Sequence, residues 1–224
     1  MIDKTIGIIG CGNMGEAILK GLSGVVEKST RLVVSEQDLK RRDEIQTAYK
    51  IIIAPDNHYL FKYSDAVIIA VKPKDFESLL KEDICCDISS QKLIISIAAG
   101  VTTGYIESIV GEDVRVVRAM PNMPARIGEG VTGVCGGSSA KPSDIELAKD
   151  VFSTIGSVVE VKEELMDAVT AISGSGPAYF FYMIEAMVES AKGLGLDEKT
   201  ARELVEKTAL GSVKLLLSSK EDPA

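Results

Sequence analysis

The chain has 224 residues, 46% of them hydrophobic, and a formal net charge of −8 at pH 7. This is enough for one sizeable core, or for one α/β domain with a smaller appendage. The negative charge argues against a nucleic-acid or anionic-membrane partner, and no apolar stretch approaches the roughly eighteen residues of a membrane span. The chain shows no signal-peptide pattern, and its four cysteines lack metal-ligand spacing. We therefore expect a cytoplasmic protein with reduced thiols and no metal.

Short β-branched runs alternate with helical spacers up to about residue 160. The predicted strands cover residues 6–9, 31–35, 51–54, 66–71, 92–97, 115–118, 131–136 and 157–161. Two amphipathic spacers, residues 75–81 and 142–155, are typical of helices. The alternation implies right-handed crossovers and an α/β fold with a doubly wound, mostly parallel sheet covered on both faces. The last two strands can form an antiparallel edge.

From residue 163 onward the pattern is helical. The expected helices cover residues 163–173, 178–194 and 197–218. Asp197 is a good N-cap for the last helix, and Gly174-Ser175-Gly176-Pro177 interrupts the chain between the first two. Two or three helices are too few to close a core. They should therefore pack on the sheet domain, on a second copy of the chain, or on both.

A glycine motif follows the first predicted strand directly. It reads Gly10-Cys11-Gly12-Asn13-Met14-Gly15 and leads into a helical pattern. In such a strand-turn-helix unit, Gly10 permits the tight turn, Gly12 leaves room for a pyrophosphate, and Gly15 allows helix and strand to pack closely. The helix N-terminus adds unpaired N–H donors and a positive dipole end. The motif predicts a dinucleotide site at residues 10–15.

The end of the second strand bears on the choice between NAD and NADP. Glu36 lies twenty-one positions after Gly15, where an acidic residue accepts hydrogen bonds from the adenosine ribose of NAD. A carboxylate there repels the 2′-phosphate of NADP. Ser35 could instead donate to such a phosphate, and Arg41 and Arg42 follow one turn later, although arginines there more often form a solvated helix face. The choice between NADPH and NADH stays open, with charge slightly favouring NADH.

Three further segments end predicted strands, at the edge where open α/β sheets bind ligands. They are Ala70-Val71-Lys72-Pro73, Ser96-Ile97-Ala98-Ala99-Gly100 and Arg118-Ala119-Met120-Pro121-Asn122-Met123-Pro124-Ala125. Small residues in the first two would let a flat nicotinamide ring lie against the backbone. Any one segment alone could be an ordinary strand end, but three at one edge favour a ligand site.

These segments, with the glycine motif and Ser173-Gly174-Ser175-Gly176-Pro177-Ala178-Tyr179, resemble the successive motifs of the pyrroline-5-carboxylate reductase family, in the same order and spacing. The resemblance implies NAD(P)H-dependent reduction of 1-pyrroline-5-carboxylate to L-proline, the last step of proline biosynthesis. It also implies a Rossmann domain over residues 1–162 and an all-helical dimerisation and substrate domain over residues 163–224. That domain would interleave with a partner to form a homodimer, which in many members assembles further.

The resemblance also assigns site residues. Cofactor contacts would come from the glycine loop and from Ser35 or Glu36, Asn57, Ala70, Val71, Lys72, Pro73, Ile97, Ala98 and Ala99. Asn57 is equally explained as a turn residue in the loop after the third strand. The substrate-side candidates are Asn122, Gly174 and Ser175, although residues 174–177 are equally explained as a helix break required by packing.

No catalytic residue is assigned within the chain. In the family, a Ser-Pro-Gly-Gly-Thr-Thr segment that holds the substrate follows the position of Pro223, and the chain ends before such a segment. We expect the catalytic groups there, so this form would bind nucleotide but could lack turnover. The chemistry needs no strong side-chain acid, because a protonated imine is already electrophilic and the enzyme mainly positions it against the nicotinamide.

Two other functions remain open. A β-hydroxyacid dehydrogenase shares this domain order, but it needs a catalytic lysine about one turn along the first interdomain helix, where Lys162 is too early and Lys192 too late. A regulatory module would bind the nucleotide without turnover. Oxidation of NAD(P)H with pyrroline-5-carboxylate or with small hydroxyacids distinguishes the three.

Overall fold

The computed structural model describes residues 2–26, 28–84 and 92–219. Cys85, Cys86 and Pro223 lie outside these ranges. The chain divides into two compact units, Met1–Gly174 and Ser175–Ala224. The first unit extends twelve residues beyond position 162, where the resemblance suggested a domain boundary. Within the described ranges, no helix is long and apolar enough to cross a membrane.

The first unit is built on one eight-stranded sheet. Its strands are β1 Ile6–Ile9, β2 Leu32–Ser35, β3 Ile52–Ile53, β4 Ala66–Ile69, β5 Leu93–Ser96, β6 Arg115–Met120, β7 Gly130–Gly136 and β8 Gly156–Glu160. They lie in the order β3-β2-β1-β4-β5-β6-β7-β8. Strands β1 to β6 are parallel, β7 runs antiparallel to β6, and β8 is parallel to β7. The structure thus confirms both the doubly wound sheet and its antiparallel edge.

Helices cover both faces of this sheet. They are α1 Asn13–Ser23, α2 Leu39–Tyr49, α3 Asn57–Tyr63, α4 Pro73–Ser78, α5 Thr103–Val110, α6 Pro142–Ser153 and α7 Met166–Val169. Short 3-10 turns occupy Ser29–Arg31, Met123–Ile127 and Glu163–Leu165, and π-helical turns occupy Leu79–Ile84 and Thr170–Gly174. The predicted helix over residues 75–81 therefore begins two residues earlier, at Pro73, and widens into a π-helical turn at Leu79.

Two cores form on opposite faces of the sheet. Helices α1, α2 and α6 pack on one face around Ile8 and Phe152, and helices α3, α4 and α5 pack on the other around Phe61 and Val67. Strands β1, β2, β4 and β5 are buried along their whole length. Burial on both faces explains why they are continuous apolar runs rather than alternating ones.

The two edges of the sheet differ from its centre. Strand β3 has only two residues, and Ile52 on it is 36% exposed. Strand β8 at the opposite edge is largely exposed, and its Glu160 forms an ion pair of 2.7 Å with Lys149 of α6. Both edges therefore lack a long, apolar strand.

The second unit is a helical hairpin of α8 Gly176–Gly193 and α9 Glu198–Ser219. The two helices pack through Val188, Ala201 and Val205. As expected, Asp197 caps α9, since its Oδ1 accepts the Thr200 N–H at 3.1 Å. The interruption predicted over residues 174–177 is a bend at a single residue, Ser175, after which α8 begins.

Candidate cofactor-binding site

A cleft of about 510 Å³ opens at the carboxyl ends of β1, β2 and β4. The strand order reverses here, because β2 and β4 lie on opposite sides of β1. Such a switch point is where doubly wound sheets bind dinucleotides. The residues that line the cleft are Ile9, Gly10, Gly12, Ser35, Glu36, Gln37, Asn57, Ala70, Val71, Lys72, Lys74, Asp75, Ser78, Leu79, Glu82 and Asp83.

The three glycines of the turn have different structural roles. Gly10 adopts a φ of +83°, and its N–H donates to the Ser35 carbonyl at 2.9 Å. A Cβ at Gly15 would overlap the carbonyl oxygen of Gly10, so only glycine allows α1 to start this close to the turn. A Cβ at Gly12 would meet no atom within 4 Å. Gly12 therefore leaves open space at the mouth of the turn, where a diphosphate can approach the backbone.

The N-terminus of α1 faces this open space without a side-chain cap. Gly12 is its N-cap residue and has no side-chain acceptor for the first-turn N–H groups. These donors and the helix dipole favour a bound anion. Lys72 and Lys74 also line the cleft. The uncapped helix N-terminus therefore suits a diphosphate.

Cys11 contributes only its backbone to the turn, because its side chain is buried in the core. Burial raises the pKa of the thiol to about 12, and the neighbouring carboxylates of Glu16 and Glu36 add to the rise against the opposing effect of Arg41. The thiol is therefore neutral, and the adjacent helix N-terminus does not activate it.

Glu36 holds the turn from the side of β2. Its Oε2 accepts the Cys11 N–H at 2.7 Å, and its Oε1 accepts the Asp38 N–H at 3.0 Å. Arg41 does not lie on a solvated helix face: its Nε donates to the Cys11 carbonyl at 3.2 Å, and its guanidinium pairs with Glu16. The hydrogen bond to Glu16 raises the pKa of Arg41 above its usual range.

Asn57 is the first residue of α3 rather than a loop residue, and Asp56 is the N-cap of that helix. The Asn57 side chain faces the cleft between two partners. Its Oδ1 accepts the Ser35 hydroxyl at 2.5 Å, and its Nδ2 donates to Asp83 Oδ2 at 2.6 Å. Asp83 could not be predicted from the sequence, because neither periodicity nor a motif marks it.

The structure brings most of the predicted cofactor residues to one place. Ala70, Val71 and Lys72 line the cleft at the end of β4, and Pro73 begins α4 directly behind them. Residues 97–99 follow β5, the next strand along the sheet, and are not among the lining residues.

The substrate-side candidate Asn122 is 8% exposed. Both the oxygen and the nitrogen of its side-chain amide form hydrogen bonds with the backbone. Its Oδ1 accepts the Val131 N–H at 2.9 Å, and its Nδ2 donates to the Ser173 carbonyl at 3.1 Å. Gly174 packs closely on Met120, since a Cβ there would lie 2.8 Å from the Met120 Cε. Asn122 thus ties the π-helical turn 170–174 to the carboxyl edge of the sheet.

Arg118 was part of a predicted motif, but its partners could not be predicted. Its guanidinium is 3% exposed and lies 3.5 Å from Glu163 Oε1 and 3.5 Å from Asp167 Oδ1. Glu163 Oε1 also accepts the Thr103 N–H at 2.7 Å. These bonds fix the turn 163–165 beside the N-terminus of α5.

Sequence models of two families match the chain. The one described as pyrroline-5-carboxylate reductase dimerisation matches residues 163–224, and the one described as NADP oxidoreductase coenzyme F420-dependent matches residues 5–100. The pyrroline-5-carboxylate reductase of Methanosarcina acetivorans is 41% identical, over 100% of this chain and 83% of that protein. That of Synechocystis sp. is 39% identical, over 98% of this chain and 81% of that protein.

Solved structures give the same result. The pyrroline-5-carboxylate reductase of Coxiella burnetii superimposes with a TM-score of 0.90 at 34% identity, covering 99% of this chain and 82% of that one. The Plasmodium falciparum enzyme, crystallised with NADP bound, gives 0.87 at 31% identity, covering 100% and 81%. By its sequence along its whole length and by its fold, the chain belongs to the pyrroline-5-carboxylate reductase family.

Proposed function

We propose that the protein reduces the C=N bond of 1-pyrroline-5-carboxylate with NAD(P)H and so forms L-proline in the last step of proline biosynthesis. Relatives that carry this name align with nearly the whole chain at 33–41% identity. The observation that carries the proposal is the cleft at the switch point, with open space at Gly12 and an uncapped α1 N-terminus.

The residues present fit a nicotinamide dinucleotide. The first-turn N–H groups of α1 would hold the diphosphate, with Lys72 and Lys74 balancing its charge. Ala70 and Val71 present a small, apolar strand end on which a flat ring can lie. When bound, NAD(P)H supplies the hydride. The contribution of the chain is orientation, because a protonated imine needs little further activation.

The test is steady-state oxidation of NADH and of NADPH by the complete gene product, with pyrroline-5-carboxylate or with small hydroxyacids as the second substrate. We expect oxidation with the imine alone and L-proline as the product. Turnover of hydroxyacids would instead support a dehydrogenase. Nucleotide binding without any oxidation would support a regulatory module. We also propose that Asn122 lies on the substrate side of the site, where its two backbone hydrogen bonds hold the surrounding chain in shape.

We further propose that a second copy of the chain covers the helical unit. The hairpin exposes large apolar side chains, among them Phe180 at 54%, Tyr182 at 75% and Leu194 at 89%. Tyr182 and Leu194 border an apolar groove of about 590 Å³. Apolar surface of this extent is typical of an obligate interface.

Tyr182→Glu should convert the dimer to monomers in light scattering, because it places a charge in that interface. Lys199→Glu is the control, because it changes the charge of the hairpin at the start of α9 and not in the groove that Tyr182 borders. A dimer that persists in Tyr182→Glu would contradict the proposed surface. A cytoplasmic location and the absence of a nucleic-acid partner stay predictions.

A further inference from the structure

We propose that the end of the cleft formed by Ser35, Glu36 and Asn57 selects the unphosphorylated adenosine ribose of NADH over the 2′-phosphate of NADPH. We further propose that Asp83 is a positioning residue for this choice, acting through Asn57 and Ser35. This inference rests on the proposed cofactor site but not on the identity of the second substrate.

The hydrogen bonds from Asp83 through Asn57 to Ser35 all run in one direction. A carboxylate can only accept, so Asp83 requires the NH₂ group of Asn57 to face it, at 2.6 Å. The amide oxygen of Asn57 must then face Ser35, whose hydroxyl donates its proton to that oxygen at 2.5 Å. The Ser35 oxygen is left with acceptor capacity only. The charge of Asp83 therefore determines that the Ser35 hydroxyl can only accept a hydrogen bond from a ligand.

An acceptor at Ser35 favours one of the two coenzymes. The ribose hydroxyls of NADH can donate to Ser35 and to the Glu36 carboxylate, which keeps acceptor capacity beside its two backbone partners. A 2′-phosphate dianion can only accept, and it would face two groups that also only accept. The loss of one hydrogen bond between the coenzyme and a charged group lowers the affinity about tenfold.

Negative charge also gathers around Ser35 and Asn57. A smaller recess of about 360 Å³ adjoins the cleft at this end and is lined by Glu36, Asp56, Glu82, Asp83 and Arg42, among others. Among the described residues that line it, carboxylates outnumber guanidinium groups by four to one. Arg41, which donates to the Cys11 carbonyl of the turn, is engaged by Glu16 and by Glu44. The recess therefore repels a phosphate, whereas the uncapped N-terminus of α1 attracts one.

The experiment measures dissociation constants of NADH and NADPH by calorimetry, without substrate, for the wild type and for Asp83→Asn. The wild type should bind NADH more tightly. Asp83→Asn frees the Asn57 amide to turn over, so Ser35 can donate to a phosphate. The ratio of the two constants should shift about tenfold toward NADPH, the size of one bond to a charged group.

Asp56→Asn is the matched control for charge alone. Asp56 lines the same recess, but its Oδ1 caps α3 by accepting the Tyr59 N–H at 2.6 Å, a role that asparagine fills equally well. The proposal requires a smaller shift in the ratio for this variant than for Asp83→Asn. Equal shifts would refute the role of Asp83 in orienting Asn57.

Ser35→Ala removes the proposed acceptor itself. It should weaken NADH binding while leaving NADPH binding nearly unchanged, whereas a general loss of folding would weaken both. A wild type that prefers NADPH, or variants that change both constants equally, would overturn the inference. Failure to bind either coenzyme would overturn the cofactor site as well. Binding of NADH without reduction of the imine would refute the proposed reaction only.

Discussion

Gly12→Val should separate coenzyme binding from folding. Gly12 has φ −69° and ψ −162°, an extended conformation that valine adopts readily, and its Cβ would meet nothing within 4 Å. The added side chain therefore enters the open space of the cleft. As a poorer N-cap than glycine, valine should lower the stability by at most about 1 kcal/mol, which is a fall in Tm of roughly 2–4 °C for a unit of this size.

Binding should suffer far more. The isopropyl group would keep a diphosphate from the first N–H groups of α1, and two hydrogen bonds to a charged group are together worth about 3 kcal/mol or more. The dissociation constant for NADH should therefore rise by on the order of 100-fold. Calorimetric titration with NADH and a thermal melt measure the two effects separately. Gly104→Val, at an open position outside the cleft, should alter neither binding nor, by much, the melt. Unchanged NADH affinity in Gly12→Val would refute the placement of the diphosphate.

Three further predictions concern the surroundings of the site. Gly15→Ala places its Cβ on the backbone oxygen of Gly10 and should lower the free energy of unfolding by about 2 kcal/mol, measured by urea denaturation. Cys11, with its pKa raised to about 12, should resist alkylation at pH 9 until urea unfolds the chain. Because the unfolded thiol loses its proton near pH 9, its contribution to stability should fall as the pH rises from about 9 to 12. Glu163→Gln removes the charge beside the buried Arg118 guanidinium and should lower the free energy of unfolding by about 2 kcal/mol. An unchanged Tm would show that Asp167 alone is enough to neutralise Arg118.

The sequence predicted the sheet well, because burial on both faces leaves a strong pattern. Strand β1 begins and ends at the predicted residues, and most other strands differ by one or two residues at their ends. The ends are less certain because tertiary contacts decide where a strand stops pairing. Strand β6, for example, continues to Met120 because β7 pairs with it there.

The contacts between distant side chains could not be predicted. Asn57 and Asp83 are 26 positions apart, and Thr103 and Glu163 are 60 apart. Such pairs have no periodicity and depend on how the crossovers fold back over the sheet. The backbone contacts of Asn122 could not be predicted for the same reason. Its position in a motif does not reveal that both the oxygen and the nitrogen of its side-chain amide form hydrogen bonds with the backbone.

The short edge strand β3 has a consequence for self-association. A two-residue strand offers too few free N–H and C=O groups to template another chain, and the charged, largely exposed β8 discourages strand addition at the opposite edge. Sheets of neighbouring molecules therefore cannot readily fuse into a continuous ribbon. Aggregation by that route is suppressed, and contact between copies is left to helical surfaces.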